Sequence, residues 1–324
     1  MCGPALLSDA ERELVAAYRA TPGQASASPF GSEDEIGMLN LIDSNSMRRA
    51  LAGVDTGRVF DLSVDYFVGM PVWTAAGDMP FQIWMNHTPR GTVVDDLPGA
   101  GREANQLASY SGDSVAMYTH CGTHVDALCH WGYRGTIWNG FTEEERLGSR
   151  HWTVAGADRQ PPIVARGVLI DVAAAHGATM LPDSYGIGED DLRRALRAQG
   201  TKLRCGDVVL VRTGRMSVWP DPEAYLLDAP GLNREGAEFL AKSGAILIGA
   251  DNVALEQIPP PAGSESWSPV HTYLLAEAGV AILEIANLEE LAAERVYEFA
   301  FVGACIRFRG ATGAPIRPLA VPLR

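Results

Sequence analysis

The sequence predicts an α/β fold preceded by a helical N-terminal extension. Two observations carry this expectation. From about residue 167 onward, short apolar runs rich in Val, Ile and Leu alternate with stretches of helical periodicity, the order that builds a layered α/β domain. The first 56 residues carry helix-start signals and no strand pattern. The expected organisation is an extension over residues 1–56 and one domain over 57–324.

The elements follow in order. Ser8 and Glu11 stand at capping-box spacing and Leu14, Val15 and Tyr18 share a face, so residues 8–20 are expected to be helical. Residues 21–31 are rich in Pro, Gly, Ser and Ala and read as an arm or linker. Ser32 and Glu35 repeat the capping-box spacing before Ile36, Leu39 and Leu41, and residues 44–52 form a short helix stopped by Gly53. Residues 59–64 and 81–85 read as strands, 88–106 as a turn-rich acidic flap, and 114–119 as a strand. Strands are expected at 167–172, 207–212, 245–249 and 280–285. Between and after them, helices are expected at 189–199, stopped by Gly200, at 234–243, at 270–278 and at 288–293.

Composition narrows the function. Of 324 residues, 47% are apolar and 20% charged, an ordinary globular balance. The net charge of −14 argues against nucleic acid or an anionic membrane as main partner, since both demand a basic surface. Five cysteines without CxxC pairing point to a reducing, cytoplasmic setting. No basic segment followed by an apolar one opens the chain, and no apolar run reaches the ~18 residues of a membrane span. A small molecule is the expected partner.

The chemistry concentrates in His120-Cys-Gly-Thr-His124-Val-Asp126-Ala-Leu-Cys-His130, which holds three of the seven histidines. Imidazole and carboxylate are ligands that zinc prefers and manganese accepts. His124 and Asp126, two apart, share a face on extended backbone. Gly122-Thr123 makes a turn that brings His120 back towards them. His120, His124 and Asp126 are therefore expected to close around one divalent ion and leave a position open, as catalytic sites do. The opposing reading, hydrogen-bonded core histidines, explains a single histidine better than three with an interleaved aspartate. His130 is either a fourth ligand or the acid/base group beside the ion. Cys121 and Cys129 are expected to pack rather than to ligate. Trp73, Trp84, Tyr118, Trp131, Tyr133 and Trp138 surround the segment in sequence; most serve packing, and Trp131 and Trp73 are the expected substrate walls. Arg212 and Asp251 end apolar strands and serve either as pocket residues or as a structural ion pair.

These residues resemble a known motif. His120 to His130 is similar to the HxGTHxDAxxH signature of cyclase-family metal hydrolases, among them bacterial kynurenine formamidases and isatin hydrolases. Further segments resemble the same family: Asp61-Leu-Ser with Gly69-Met-Pro71, Gly206 to Gly214, Gly249-Ala-Asp251, His271 through Glu284 to Asn287-Leu, and Gly310 to Pro318. The resemblance covers residues 57–322. It departs at Leu128, where the family often carries proline, and in a His271 to Glu284 interval one residue longer than in the formamidases. It implies a swivelling β/β/α domain, assembled as a homodimer or homotetramer, that hydrolyses amide bonds of small or cyclic N-acyl compounds, with lactone or ester hydrolysis, ring closure, or an inactive metal-binding relative as alternatives. It also implies His120, His124 and Asp126 as ligands and His130 as acid/base. From the formamidase branch it implies a second ion held by Asp126, His271 and Glu284, whereas the isatin-hydrolase branch implies one.

Overall fold

The computed structural model describes residues 20–323 apart from Thr56 and Glu265; the helix expected over 8–20 lies, all but its last residue, outside the described residues. Within them the strands are β1 (Phe60–Asp61), β2 (Gln82–His87), β3 (Gly112–Ala116), β4 (His124–Asp126), β5 (Ile163–Asp171), β6 (Gly186–Ile187), β7 (Val208–Arg212), β8 (Gly231–Leu232), β9 (Leu247–Ala250), β10 (Ala281–Glu284), β11 (Glu298–Gly303), β12 (Gly313–Pro315) and β13 (Leu319–Pro322). Nine form one mixed sheet in the order β1-β13-β11-β5-β7-β9-β10-β4-β12.

The centre of this sheet follows from the apolar runs. β5, β7, β9 and β10 pair in parallel. Val168, Leu169, Ile170, Val209, Leu210, Leu247, Ile248, Ile282 and Leu283 are buried along them, as expected of strands covered on both faces. Helix Glu189–Gln199 turns Leu192, Ala195 and Leu196 inward and stops at Gly200, whose φ of 69° suits glycine. Helix Arg234–Lys242 starts at Asn233, whose side chain accepts from Gly236 N. The stretch after Ser268 begins as a single α-turn, Pro269–His271, and widens into a π-helical turn over Thr272–Glu277. No helix among the described residues is long and apolar enough to cross a membrane.

The region expected as a flap is more ordered than its composition suggests. Helices Pro89–Asp95 and Arg102–Ala108 connect β2 to β3. Thr88 starts the first by accepting from Gly91 N, and Pro89 sits at the first turn, where its missing N–H costs nothing. Among the described residues the β2–β3 ribbon pairs only with itself and leaves Ile83, Trp84, Met85 and Val115 about half exposed.

The capping box expected at Ser32–Glu35 does not form. Gly37 takes a φ of 56°, and only a 3-10 turn, Gly37–Leu41, follows. Asp34 organises the segment instead. Its buried carboxylate accepts from Ser28 Oγ (2.7 Å), Asn40 Nδ2 (2.7 Å), Ile36 N (3.1 Å), Gly37 N (3.1 Å) and the indole N–H of Trp138 (3.0 Å). Trp138 is fully buried, and Met38, Leu39, Leu41 and Ile42 join the same core as the sheet. Asp34→Asn turns one acceptor oxygen into a donor facing donors. We expect it to lower unfolding stability by about 2–3 kcal/mol, seen as a lower denaturant midpoint at unchanged m-value; an unaltered midpoint refutes the hub.

Candidate metal centre

The site is built by strand register. β4 lies between β10 and β12, both antiparallel to it. Glu284 stands opposite His124, and Asp126 lies two residues further along the same face. Val125, between them, points to the other side and is fully buried in the main core.

The turn before β4 is pinned from several sides. Gly122 has a φ of 60° and lies under the Tyr66 ring, where a Cβ would come within 2.4 Å of a ring atom. Thr123 Oγ1 donates to Ile285 O (2.7 Å) and accepts from Val64 N (3.0 Å). His120 is thereby folded back against Gly313 of β12, whose missing side chain makes room for the imidazole.

Six of the predicted site residues meet here. His120 Nδ1 is 2.7 Å from Asp126 Oδ1, and its Nε2 is 2.8 Å from Thr312 Oγ1. His124 Nε2 lies 3.2 Å from Glu284 Oε2 and 3.4 Å from Asp126 Oδ1. His271 Nε2 lies 3.1 Å from Glu284 Oε1 and 3.5 Å from Asp126 Oδ2. The His130 ring stacks on His120 with centroids 3.9 Å apart. Ligand atoms of His124, Asp126 and Glu284 lie within 4.8 Å of one another, as do those of His120, Asp126 and His130. Asp126 belongs to both groups. Glu284 thus approaches His124 as closely as Asp126 does, so the compact groups differ from the His120, His124 and Asp126 set that spacing suggests.

The donor set fits a cation. His124 Nε2, Asp126 Oδ2 and Glu284 Oε1 are buried, and none has a hydrogen-bond partner among the described residues. A buried unsatisfied polar group costs about 1–3 kcal/mol, so three converging ones call for a common partner. The far sides of the rings are anchored as metal-ligating histidines usually are. His124 Nδ1 is 2.8 Å from Gly122 O, and His271 Nδ1 is 2.5 Å from Glu256 Oε1, leaving both Nε2 atoms aimed at the carboxylates. The nitrogen and oxygen donors suit zinc or manganese.

Electrostatics agree. Burial opposes charge on His124, yet Asp126 and Glu284 outweigh it and hold its imidazole at about 10. His271 is raised in the same way, against burial, by Asp126, Glu256 and Glu284. Asp126, despite burial, is drawn well below the usual carboxylate range by His120 and His130. His130 is pushed well down, by burial first and then by His120. The carboxylates that raise these imidazoles form the same negative field that would attract a cation.

Above the cluster lies a cavity of about 350 Å³. Trp73, Tyr118 and Trp131 line it, as does Trp267, which sequence reasoning missed. Trp84 lies instead on the exposed ribbon, and Trp138 in the core. Glu256 and Thr312 were also missed, and no local pattern marks either. Arg212 is not among the lining residues: its guanidinium is bound by Asp171 (3.0 Å) and Glu289 (2.8 Å). Asp251 does not pair with it but accepts from Thr213 and Gly214. Burial pushes the Cys121 and Cys129 thiols up to about 11 and about 12.

Fold and site together define an α/β protein with a candidate metal centre set across the edge of a mixed sheet. The sequence model of the Cyclase family, described as "Putative cyclase", matches residues 60–257. A crystal structure described as a novel cyclase superposes with a TM-score of 0.80 at 30% identity, covering 92% of this chain and 99% of that one. The isatin hydrolase of Roseibium aggregatum is 25% identical over 237 residues, 68% of this chain and 80% of its own. Cyclase-like protein 3 of Oryza sativa subsp. japonica is 24% identical over 266 residues, 81% of this chain and 78% of its own. The chain belongs to the Cyclase family.

A divalent ion should stabilise the fold by mass action, by about 2.7 kcal/mol at 100 times its Kd. We expect zinc or manganese to raise the Tm of the wild-type protein and a chelator to reverse the rise. Glu284→Gln and His124→Ala should abolish it. A Tm indifferent to every divalent ion overturns the ligand assignment.

Proposed function

We propose that this chain is a metal-dependent hydrolase that cleaves the amide bond of a small molecule, an N-formyl or aryl amide or a cyclic amide such as isatin. The observation that carries this reading is the convergence of the unbonded His124, Asp126 and Glu284 atoms below an aromatic-walled cavity that His130 also lines. Membership of a family with an isatin hydrolase among this chain's relatives supports it. His120, His124 and Asp126 are assigned to the primary ion, with Glu284 and His271 beside Asp126 as the remaining ligands. Cys121, Cys129 and Cys305 are free thiols, which supports a reducing, cytoplasmic setting.

When bound, the divalent ion supplies polarisation of the substrate carbonyl and activation of water at neutral pH. His130 carries the proton. It stacks on His120, and its neutral imidazole is positioned to take a proton from the attacking water, whose oxygen becomes the new carboxylate oxygen, and to pass that proton to the leaving nitrogen as the C–N bond breaks. His120, held by Thr312 at Nε2, fixes the plane on which His130 rests and keeps Nδ1 on the side of Asp126. Trp73 and Trp131 flank the substrate ring and exclude water from the reacting carbonyl.

A panel of N-formylkynurenine, formanilide, isatin, cyclic imides and lactones tests the reading. We expect turnover of at least one amide, lowered about 10²- to 10⁴-fold in kcat by His130→Ala with metal content retained. Metal lost in that variant makes His130 a ligand. Turnover of lactones alone favours an ester hydrolase, and a metal-loaded protein inert across the panel favours a binding role.

The same reading includes a homo-oligomer. The apolar residues exposed on the β2–β3 ribbon support self-association, because an isolated two-stranded ribbon is marginal in water. Light scattering should give a dimer or tetramer that Trp84→Glu reduces towards the monomer; a wild-type monomer removes this part of the proposal.

A further inference from the structure

Among the described residues, the cavity walls carry the carboxylates of Asp78, Glu256 and Glu284 and the imidazoles of His120, His130 and His271, with no lysine or arginine. His120 and His271 are engaged by Asp126 and by Glu256 and Glu284 respectively. Glu284 is taken up by the ligand set. Glu256 is held at 2.5 Å by His271 Nδ1 and accepts from the backbone N–H groups of Val270 and His271. The Asp78 carboxylate is different: half-buried on the same cavity, it has no hydrogen-bond or ion-pair partner among the described residues.

Asp78 is also well placed by its backbone. It follows a turn closed by Gly77 N on Thr74 O (2.9 Å), and the carbonyl of the next residue, Met79, accepts from Tyr118 N (3.2 Å). The loop is thereby tied to the segment that leads into His120. The remaining walls are π-faces. Trp131 is braced edge-on by Trp267 at 4.7 Å between centroids, and Tyr118 sits 4.9 Å from His120.

Indole faces attract cations, and a carboxylate with no partner in a partly desolvated wall does so more strongly. An anionic substituent meets the opposite at this wall: repulsion from Asp78, and no lysine or arginine among the described lining residues to receive it. We propose that this cavity selects aromatic substrates bearing a protonated or quaternary amine, and that Asp78 is the residue that sets the preference. This rests on the hydrolase reading for the word substrate, while the cation selectivity itself concerns binding alone.

The test uses three benzyl probes that differ in charge and ligate metal poorly: benzyltrimethylammonium, benzyl alcohol and benzylsulfonate. Their affinities for the metal-loaded protein are measured by calorimetry at fixed ionic strength. We expect the cation to bind about five- to tenfold more tightly than the alcohol, and the sulfonate most weakly. Asp78→Asn should bring cation and alcohol within about twofold, and Asp78→Glu should restore the gap, which a merely structural role does not predict. The metal-dependent rise in Tm reports that each variant is folded. A sulfonate that matches the cation in the wild-type protein, or a preference untouched by Asp78→Asn, overturns the proposal. If no amide is turned over yet the cation preference and its dependence on Asp78 persist, the hydrolase reading fails and this one stands. In the opposite case the enzyme cleaves amides without regard to their charge.

Discussion

The antiparallel pairing of β4 between β10 and β12 is the constraint on which the site depends. Side chains alternate across a strand, so a shift of one residue would turn His124 and Asp126 into the core and bring Val125 to the cavity. Val125, fully buried in apolar surroundings, opposes that shift by the hydrophobic effect. The register that buries Val125 is therefore the one that sets Glu284 beside His124. A packing preference on one face of the strand positions the chemistry on the other.

Two nearly inaccessible carboxylates, Asp126 and Glu284, face each other's neighbours in this arrangement. Buried charge is expensive unless it is compensated, and here imidazoles surround it. Such a site keeps its shape only if its members cannot relax apart. Thr123 fastens the turn to Ile285, Glu256 holds His271, and Thr312 holds His120. These supports come from loops that show no ligand chemistry of their own.

Much of this was legible in the sequence, for identifiable reasons. The central strands and the helices at 189–199 and 234–242 announce themselves because burial on two faces, or on one stripe, leaves a periodic trace. The histidine cluster and the later His271 and Glu284 were readable from residue type and from the family pattern. The misses share a cause. β12 and β13 lie in a stretch of glycine and proline that reads as loop, and the helices after Thr88 are too short for periodicity to declare them. For Arg212, at a strand end, the sequence left open a pocket role or an ion pair with Asp251; Asp171 and Glu289, 41 and 77 residues away, are its actual partners. Glu256 and Thr312 become site residues only through tertiary contacts. The segment around Asp34 shows the same limit: Ser32 and Glu35 suggested a helix cap, while Asp34 between them organises the turn and reaches Trp138, 104 residues distant.

The contact between His120 and Thr312 spans 192 residues. Early and late parts of the chain must both be present before the imidazole has its support, and Gly313, which makes room for the ring, is part of the same late strand. During synthesis, a nascent chain that has just emerged through His130 holds histidines and an aspartate, but neither Glu284 nor the β12 wall. Long-range closure of this kind is slow relative to local helix formation. Competence to capture an ion is accordingly a late event in the life of each molecule, gained close to the completion of the fold rather than at its nucleation.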